Sequence, residues 1–136
     1  MRVRCLAREL TNELRDATSA SAMFRPRYQI TEDREYLVLG ISFLVNSEVY
    51  GNCCLFTIQD DATRCVMVPG ALFEITDSKA SRHWIVKNAE GSNLTLWPEE
   101  FYAEFFHDRV TDYEPEALAA LRAAVIRIED EMQVPV

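Results

Sequence analysis

Between residues 35 and 97 the chain alternates short runs of Leu, Val, Ile and Phe with compact clusters of Asp, Asn, Ser, Pro and Gly. Such runs, with turn residues about every eight to twelve positions, favour short antiparallel strands joined by tight turns. They fall at 35–45, 49–59, 64–68, 72–76, 82–87 and 94–97. Gly40 marks a bulge or sharp bend in the first. Asn46-Ser47-Glu48, Asp60-Asp61 and Pro69-Gly70 supply turns, and 88–93 a polar hairpin loop. Asp60 and Asp61 are read as side chains that stabilise their own turn.

The pattern changes after Trp97. Pro98 suits a helix start. In a helix running to about Asp108, Phe101, Tyr102, Phe105 and Phe106 share one arc, and Glu100, Glu104, His107 and Asp108 the opposite one. Thr111-Asp112-Tyr113-Glu114 has capping-box spacing, with Pro115 in the first turn of the next helix. Leu118, Leu121, Val125, Ile128 and Met132 then step by three and four, a core-facing stripe. The expected fold is therefore α+β: a curved antiparallel β-sheet or small SH3-like partial barrel of about five to six strands, followed by two C-terminal helices. At 136 residues the chain fits one domain, with a β-rich part over 35–97 and a helical part over 98–133. The first 30 residues suggest a short strand, then one or two helical turns near 9–16, with Pro26 ending any helix before it.

No apolar run is long enough for a signal-peptide core or a membrane span, so a cytoplasmic protein is expected. Cys5, Cys53, Cys54 and Cys65 lack C-x-x-C spacing and read as reduced, mostly buried thiols. The four glycines are far apart, which leaves no glycine-rich phosphate cradle, and no nucleophile elbow or dinucleotide fingerprint is present. Trp84 is expected to face the core and His83 to face out. A Cys–His nucleophile pair would need His83 or His107 beside an exposed thiol. Glu100, Glu104, His107 and Asp108 could in principle hold a divalent metal, although a solvated helix face is the commoner meaning of such spacing. The expectation is no enzyme activity, no cofactor and no metal.

Charge gives a further hint of function, although many proteins are acidic only to remain dissolved. The net charge is −8, but residues 1–30 carry six arginines against Glu9, Glu13 and Asp16, a balance of +3 that leaves −11 for the rest. An acidic body repels nucleic-acid phosphates and attracts a basic protein partner. The basic N-terminal excess could dock on that body or serve a partner. Residues 99–116 hold seven carboxylates (Glu99, Glu100, Glu104, Asp108, Asp112, Glu114 and Glu116) and one base, Arg109, with Tyr102 and Tyr113 among them. Carboxylates mixed with tyrosine suit the capping of a basic cleft. Glu99, Glu100, Tyr102, Glu104, Asp108 and Tyr113 are the candidate binding residues.

Longer stretches carry a resemblance. They are Leu10-Thr11-Asn12-Glu13-Leu14, Tyr36-Leu37-Val38-Leu39-Gly40-Ile41, Phe56-Thr57-Ile58-Gln59-Asp60-Asp61, Pro69-Gly70-Ala71-Leu72-Phe73-Glu74-Ile75-Thr76-Asp77, Ser81-Arg82-His83-Trp84 and Pro98-Glu99-Glu100-Phe101. In this order, over roughly residues 10–106, the chain resembles small bacterial immunity proteins that accompany polymorphic or contact-dependent toxins. Cys53-Cys54 and the alanine-rich last helix have no counterpart in that group. The resemblance implies a cytoplasmic, non-enzymatic toxin inhibitor that binds one cognate toxin domain. From the charge and the short apolar runs, no nucleic-acid or membrane partner is expected. The alternative is an SH3-like interaction or regulatory module whose contacts lie on strand and loop residues such as Tyr50, Asp60 and Trp97.

Overall fold

The computed structural model describes residues 1–88 and 93–133. Among these residues eight strands form two antiparallel sheets, and helices follow. Strands β1 (Arg2–Cys5), β2 (Glu35–Leu37) and β6 (Phe73–Asp77) make a three-stranded sheet in the order β2-β1-β6. Strands β3 (Gly40–Ser47), β4 (Gly51–Gln59), β5 (Cys65–Pro69), β7 (Trp84–Asn88) and β8 (Leu94–Pro98) make a five-stranded sheet in the order β5-β4-β3-β8-β7. The α+β class and the following helices are as expected. The single sheet of five to six strands is corrected to eight strands in two sheets that do not close into a barrel.

The two sheets arise because the chain crosses between them three times, after β2, after β5 and after β6. The run expected at 35–45 breaks after Leu37, just before Gly40. Val38 and Leu39 are both buried, but Val38 enters a core between the sheets and Leu39 enters a second core under the helices. The second crossing follows Pro69, where Gly70–Leu72 forms one 3-10 turn, and the third runs between Asp77 and Trp84. The N-terminal strand occupies the middle of the small sheet, where Val3 lies opposite Tyr36 on one side and Ile75 on the other. Side chains alternate across a strand, so the large sheet feeds both cores. Phe56, Ile58, Val68 and Leu96 face the small sheet, while Cys65 and Trp97 face the helices. A sheet covered on both faces explains the continuous burial of Leu55-Phe56-Thr57-Ile58.

Helix α1 spans Asn12–Thr18, shifted from the expected 9–16 because the Thr11 hydroxyl caps it, accepting from the Leu14 N–H at 3.2 Å. Its end rests on Gly51. Gly51 has φ +69°, and a Cβ there would lie 1.9 Å from the Thr18 carbonyl oxygen, so only glycine fits.

The region after β8 departs most from expectation. Instead of one helix from Pro98, a 3-10 turn covers Glu99–Tyr102, the chain opens at 103–105, and α2 covers only Phe106–Thr111. Phe101 and Phe106 stack 5.1 Å apart in the second core. Phe105, expected beside them, is 68% exposed. The capping box does not form, because Thr111 ends α2 and its hydroxyl donates to the His107 carbonyl at 2.9 Å. Helix α3 (Pro115–Gln133) does begin with its proline. Its buried line is Ala117, Leu121, Ala124, Ile128 and Glu131, rotated slightly from the expected leucine-valine stripe. The small alanines let the helix approach the core closely, while Leu118 and Val125 flank it. Most of the polar loop expected at 88–93 lies outside the described residues.

Candidate functional site

Helix α2 stands on the second core. Val110 and Phe106 face inward, and Asp108 faces out. Both its ends have unusual backbone. Phe105, the N-cap, has φ 56°, and Tyr113, one residue past the C-cap Asp112, has φ 57°. Bulky residues seldom adopt this left-handed conformation, which costs about 1–2 kcal/mol. Helices usually place glycine at the position Tyr113 occupies. Both rings are nevertheless exposed, Tyr113 by 72%.

Exposed carboxylates lie close in sequence to both residues, and Glu104 and Asp108 share a cleft with Phe105. Glu104, Asp108, Asp112, Glu114 and Glu116 are exposed. Arg109 reaches Glu114 at 3.3 Å and Glu116 at 3.6 Å. Among the described residues, Glu104, Asp108 and Asp112 make no ion pair. Two hollows flank α2. An open cleft of about 360 Å³ is lined by Trp97, Tyr102, Glu104, Phe105, His107 and Asp108. A groove of about 280 Å³ beside Tyr113 is lined by Cys65, Val66, Val110, Leu118 and Leu121, among others.

The six residues expected to form the binding surface divide in two. Glu99, Glu104, Asp108 and Tyr113 are exposed. Glu100 and Tyr102 are tied into the fold. The Arg127 guanidinium donates to both carboxylate oxygens of Glu100, one bond at 2.7 Å. These bonds hold the Glu100 carboxyl below its ordinary value. The Tyr102 hydroxyl donates to the Ile85 carbonyl at 2.6 Å, and the Lys87 ammonium lies 4.5 Å from its ring centroid. Phe105 was missed because the i, i+4 spacing from Phe101 reads as one helical face, and no glycine marks the break.

His107 is also corrected. It does not stand with Glu100, Glu104 and Asp108 on a solvated helix face. Its ring packs 5.0 Å from Trp97, 5.4 Å from Phe101 and 5.6 Å from Phe106. Burial pushes its pKa down, and its Nε2 has no hydrogen-bond partner. Among the described residues no group of three or more His, Cys, Asp or Glu side chains is arranged to hold a metal ion. The four cysteines are free thiols. Burial raises them all, Cys54 to about 11 and Cys65 to about 12, so at neutral pH they are not thiolates.

Tyr50, Asp60 and Trp97 do not share a surface. Tyr50 packs edge-on against Phe24 at 5.5 Å. Trp97 lies under α2 and donates from Nε1 to the Ser42 hydroxyl at 3.0 Å. Asp60 is 4% exposed. Its carboxylate accepts from the N–H groups of Ala62 at 3.0 Å and Arg64 at 2.9 Å, the turn-stabilising role read from the sequence. Asp61 accepts from Thr31, Arg34 and Tyr36. Thus Asp60 is no contact residue.

Elsewhere the buried Glu131 carboxylate accepts from the Ser81 hydroxyl and the Arg82 N–H, both at 2.7 Å, fixing α3 to the segment before β7. Trp84 packs against the first core and donates to the Leu39 carbonyl at 2.9 Å. No helix among the described residues is long and apolar enough to cross a membrane. Comparison of the chain with protein-family models, curated proteins and solved structures finds no match.

Proposed function

We propose that this chain is a cytoplasmic immunity protein that neutralises a bacterial toxin by direct binding, without catalysis, through the corner built around α2. One observation carries the reading. Two exposed aromatic residues, Phe105 and Tyr113, are held in a costly backbone conformation at the ends of a helix ringed by free carboxylates. Strain of this kind persists where the surroundings over-determine it, and it concentrates at functional sites. Rigid aromatic anchors among carboxylates match a partner with a basic surface. The acidic rim also disfavours nucleic acid. The binding set is Glu99, Glu104, Phe105, Asp108, Asp112 and Tyr113. Glu100 and Tyr102 support it from beneath.

The test is a pull-down with the tagged chain, followed by expression of the captured protein alone and together with this chain. A captured protein that is toxic alone and harmless in the pair supports the reading. Phe105→Ala and Tyr113→Ala should each weaken that complex about 30-fold, the size of an interface hot spot. Neutralising Glu104, Asp108 and Asp112 together should flatten its salt dependence. A captured protein without toxicity, or a complex indifferent to all five substitutions, overturns it.

A further inference from the structure

The opposite corner of the molecule presents a different problem. Arg15 lies in α1 and is only 6% exposed. Its guanidinium donates through one nitrogen to the carbonyl oxygens of Ser21 and Phe24. Its Nε is buried and meets no acceptor. Among the described residues no carboxylate lies within ion-pair distance of it. Glu13 and Asp16 are close in sequence, but side chains one and two positions apart on a helix do not face each other. A buried cation with neither a counter-charge nor a full set of acceptors is strongly unfavourable. In a chain of net charge −8, lack of carboxylates cannot be the cause.

Arg15 forms part of the wall of a cleft of about 260 Å³, along with Glu9, Thr11, Asn12, Arg25 and others. Polar groups dominate this lining. Arg25 donates to the Asn12 side-chain oxygen at 2.9 Å and to the Ala22 carbonyl at 3.2 Å, and it too has no carboxylate partner among the described residues. Glu9 is exposed at the same cleft. Two arginines thus line one polar hollow, one of them buried and without a counter-charge.

We infer that this cleft is an oxyanion site that takes a phosphate group carried by a small polar ligand, held between Arg15 and Arg25. Phosphate suits it better than a single carboxylate. The group supplies several acceptor oxygens and about two negative charges, enough to match both arginines and to give Arg15 the counter-charge it lacks. Glu9 sets a size limit, because a more extended anion would meet its carboxylate. This site is separate from the α2 corner and stands whether or not a toxin is the partner there.

The test follows the arginine Nε–H resonances of the full chain by two-dimensional NMR. Inorganic phosphate and O-phosphoserine are titrated separately, with sodium chloride at matched ionic strength as reference. The expected result is a saturable shift of the Arg15 Nε–H that chloride does not produce. Tighter binding of O-phosphoserine would identify a phosphate monoester, and tighter binding of inorganic phosphate the free ion. Arg15 also ties down two carbonyls, so its removal endangers the fold. Arg25→Gln is therefore the informative variant, and it should weaken phosphate about tenfold, the loss of one charge-assisted hydrogen bond. An Arg15 Nε–H that phosphate leaves unmoved, a shift reproduced by chloride, or an Arg25→Gln chain that binds as the parent does would overturn the site.

Discussion

The corner around α1 and the corner around α2 are made of similar parts. Each has a helix of under eight residues, a left-handed residue at its C-terminal end and at least one exposed aromatic side chain nearby. They differ in which rule they break. At α1 the left-handed residue is Ser19, small and unremarkable, and the irregularity is electrostatic: a buried arginine without a carboxylate. At α2 the electrostatics are ordinary for a solvated surface, and the irregularity is conformational: Phe105 and Tyr113 where glycine or asparagine would be relaxed. Local rules are most often broken where a site needs it. Charge without a partner points to a small ion that supplies one. Strain beneath exposed rings points to a surface whose shape must be fixed in advance. The net charge of −8 averages over both and describes neither.

The two corners also rest on different foundations, and the largest expected effect breaks that contrast. Phe101 is 2% exposed and packs against Trp97, Phe106 and His107. Phe101→Ala should cost about 3–5 kcal/mol in urea unfolding. It should also abolish binding at the α2 corner, since the helix stands on that ring. Phosphate binding at α1 should survive in the folded fraction. Loss of both together would mean that the corners are one mechanical unit.

The converse substitution is Gly51→Ala. A Cβ there meets backbone atoms at 1.9 and 2.5 Å, and the residue's φ is strained for alanine. A loss of roughly 2–3 kcal/mol is expected, with the end of α1 displaced. Phosphate shifts at Arg15 should weaken while α2 binding persists. A parent-like melting curve would show that the contact between α1 and β4 carries little of the stability.

These contrasts bear on what could be read from residues alone. The turn punctuation located all six apolar runs of the β region, because turn chemistry is local. It did not separate the small sheet from the large one. Nothing within Val38-Leu39 indicates that adjacent side chains enter two different cores, which is a consequence of where the rest of the chain packs. Residues 99–116 were recognisable as acid mixed with tyrosine, but periodicity assigned Phe105 to the core, and ion pairing removed Glu100 from the free surface. The Glu100–Arg127 pair spans 27 positions, and spacing carries no trace of it. Arg15 was visible only as part of the basic excess, since burial of a charge depends on tertiary contacts.

A pH measurement sharpens the electrostatic side. Hydrogen bonds from Arg127 hold Glu100 below its ordinary value of 4.5. A carboxyl lowered in the folded state contributes stability that is present above its unfolded pKa and is lost as pH falls through the folded one. The pair is partly exposed, with side-chain accessibilities of 39% for Arg127 and 20% for Glu100, so about 1 kcal/mol is at stake. Glu100→Gln should therefore lower stability at neutral pH by that amount and flatten the decline below pH 4.5. Glu131 acts in the same direction. Its burial opposes ionisation, but the bonds from Arg82 and Ser81 prevail and hold it low, so the double variant should flatten the acid limb further. An acid limb unchanged in both would assign acid sensitivity to other carboxylates.

The smallest effect has the opposite sign and discriminates best. Tyr113 occupies the position after a helix C-cap where glycine is favoured, and its N–H donates to the Val110 carbonyl at 3.0 Å. Glycine keeps that bond and removes the steric cost of a left-handed tyrosine, offset in part by the added freedom of the unfolded chain. Tyr113→Gly should stabilise the protein by roughly 0.5–1 kcal/mol, visible as a melting temperature raised by about 2–4 °C. The same change should weaken the α2 complex about 30-fold. Stability and binding then move in opposite directions, which is expected only if tyrosine is kept at this position for what it touches outside the fold. A destabilised variant would instead mean that the ring supports the groove between Val110 and Leu118, and a stabilised variant with unchanged affinity would place the partner elsewhere on the surface.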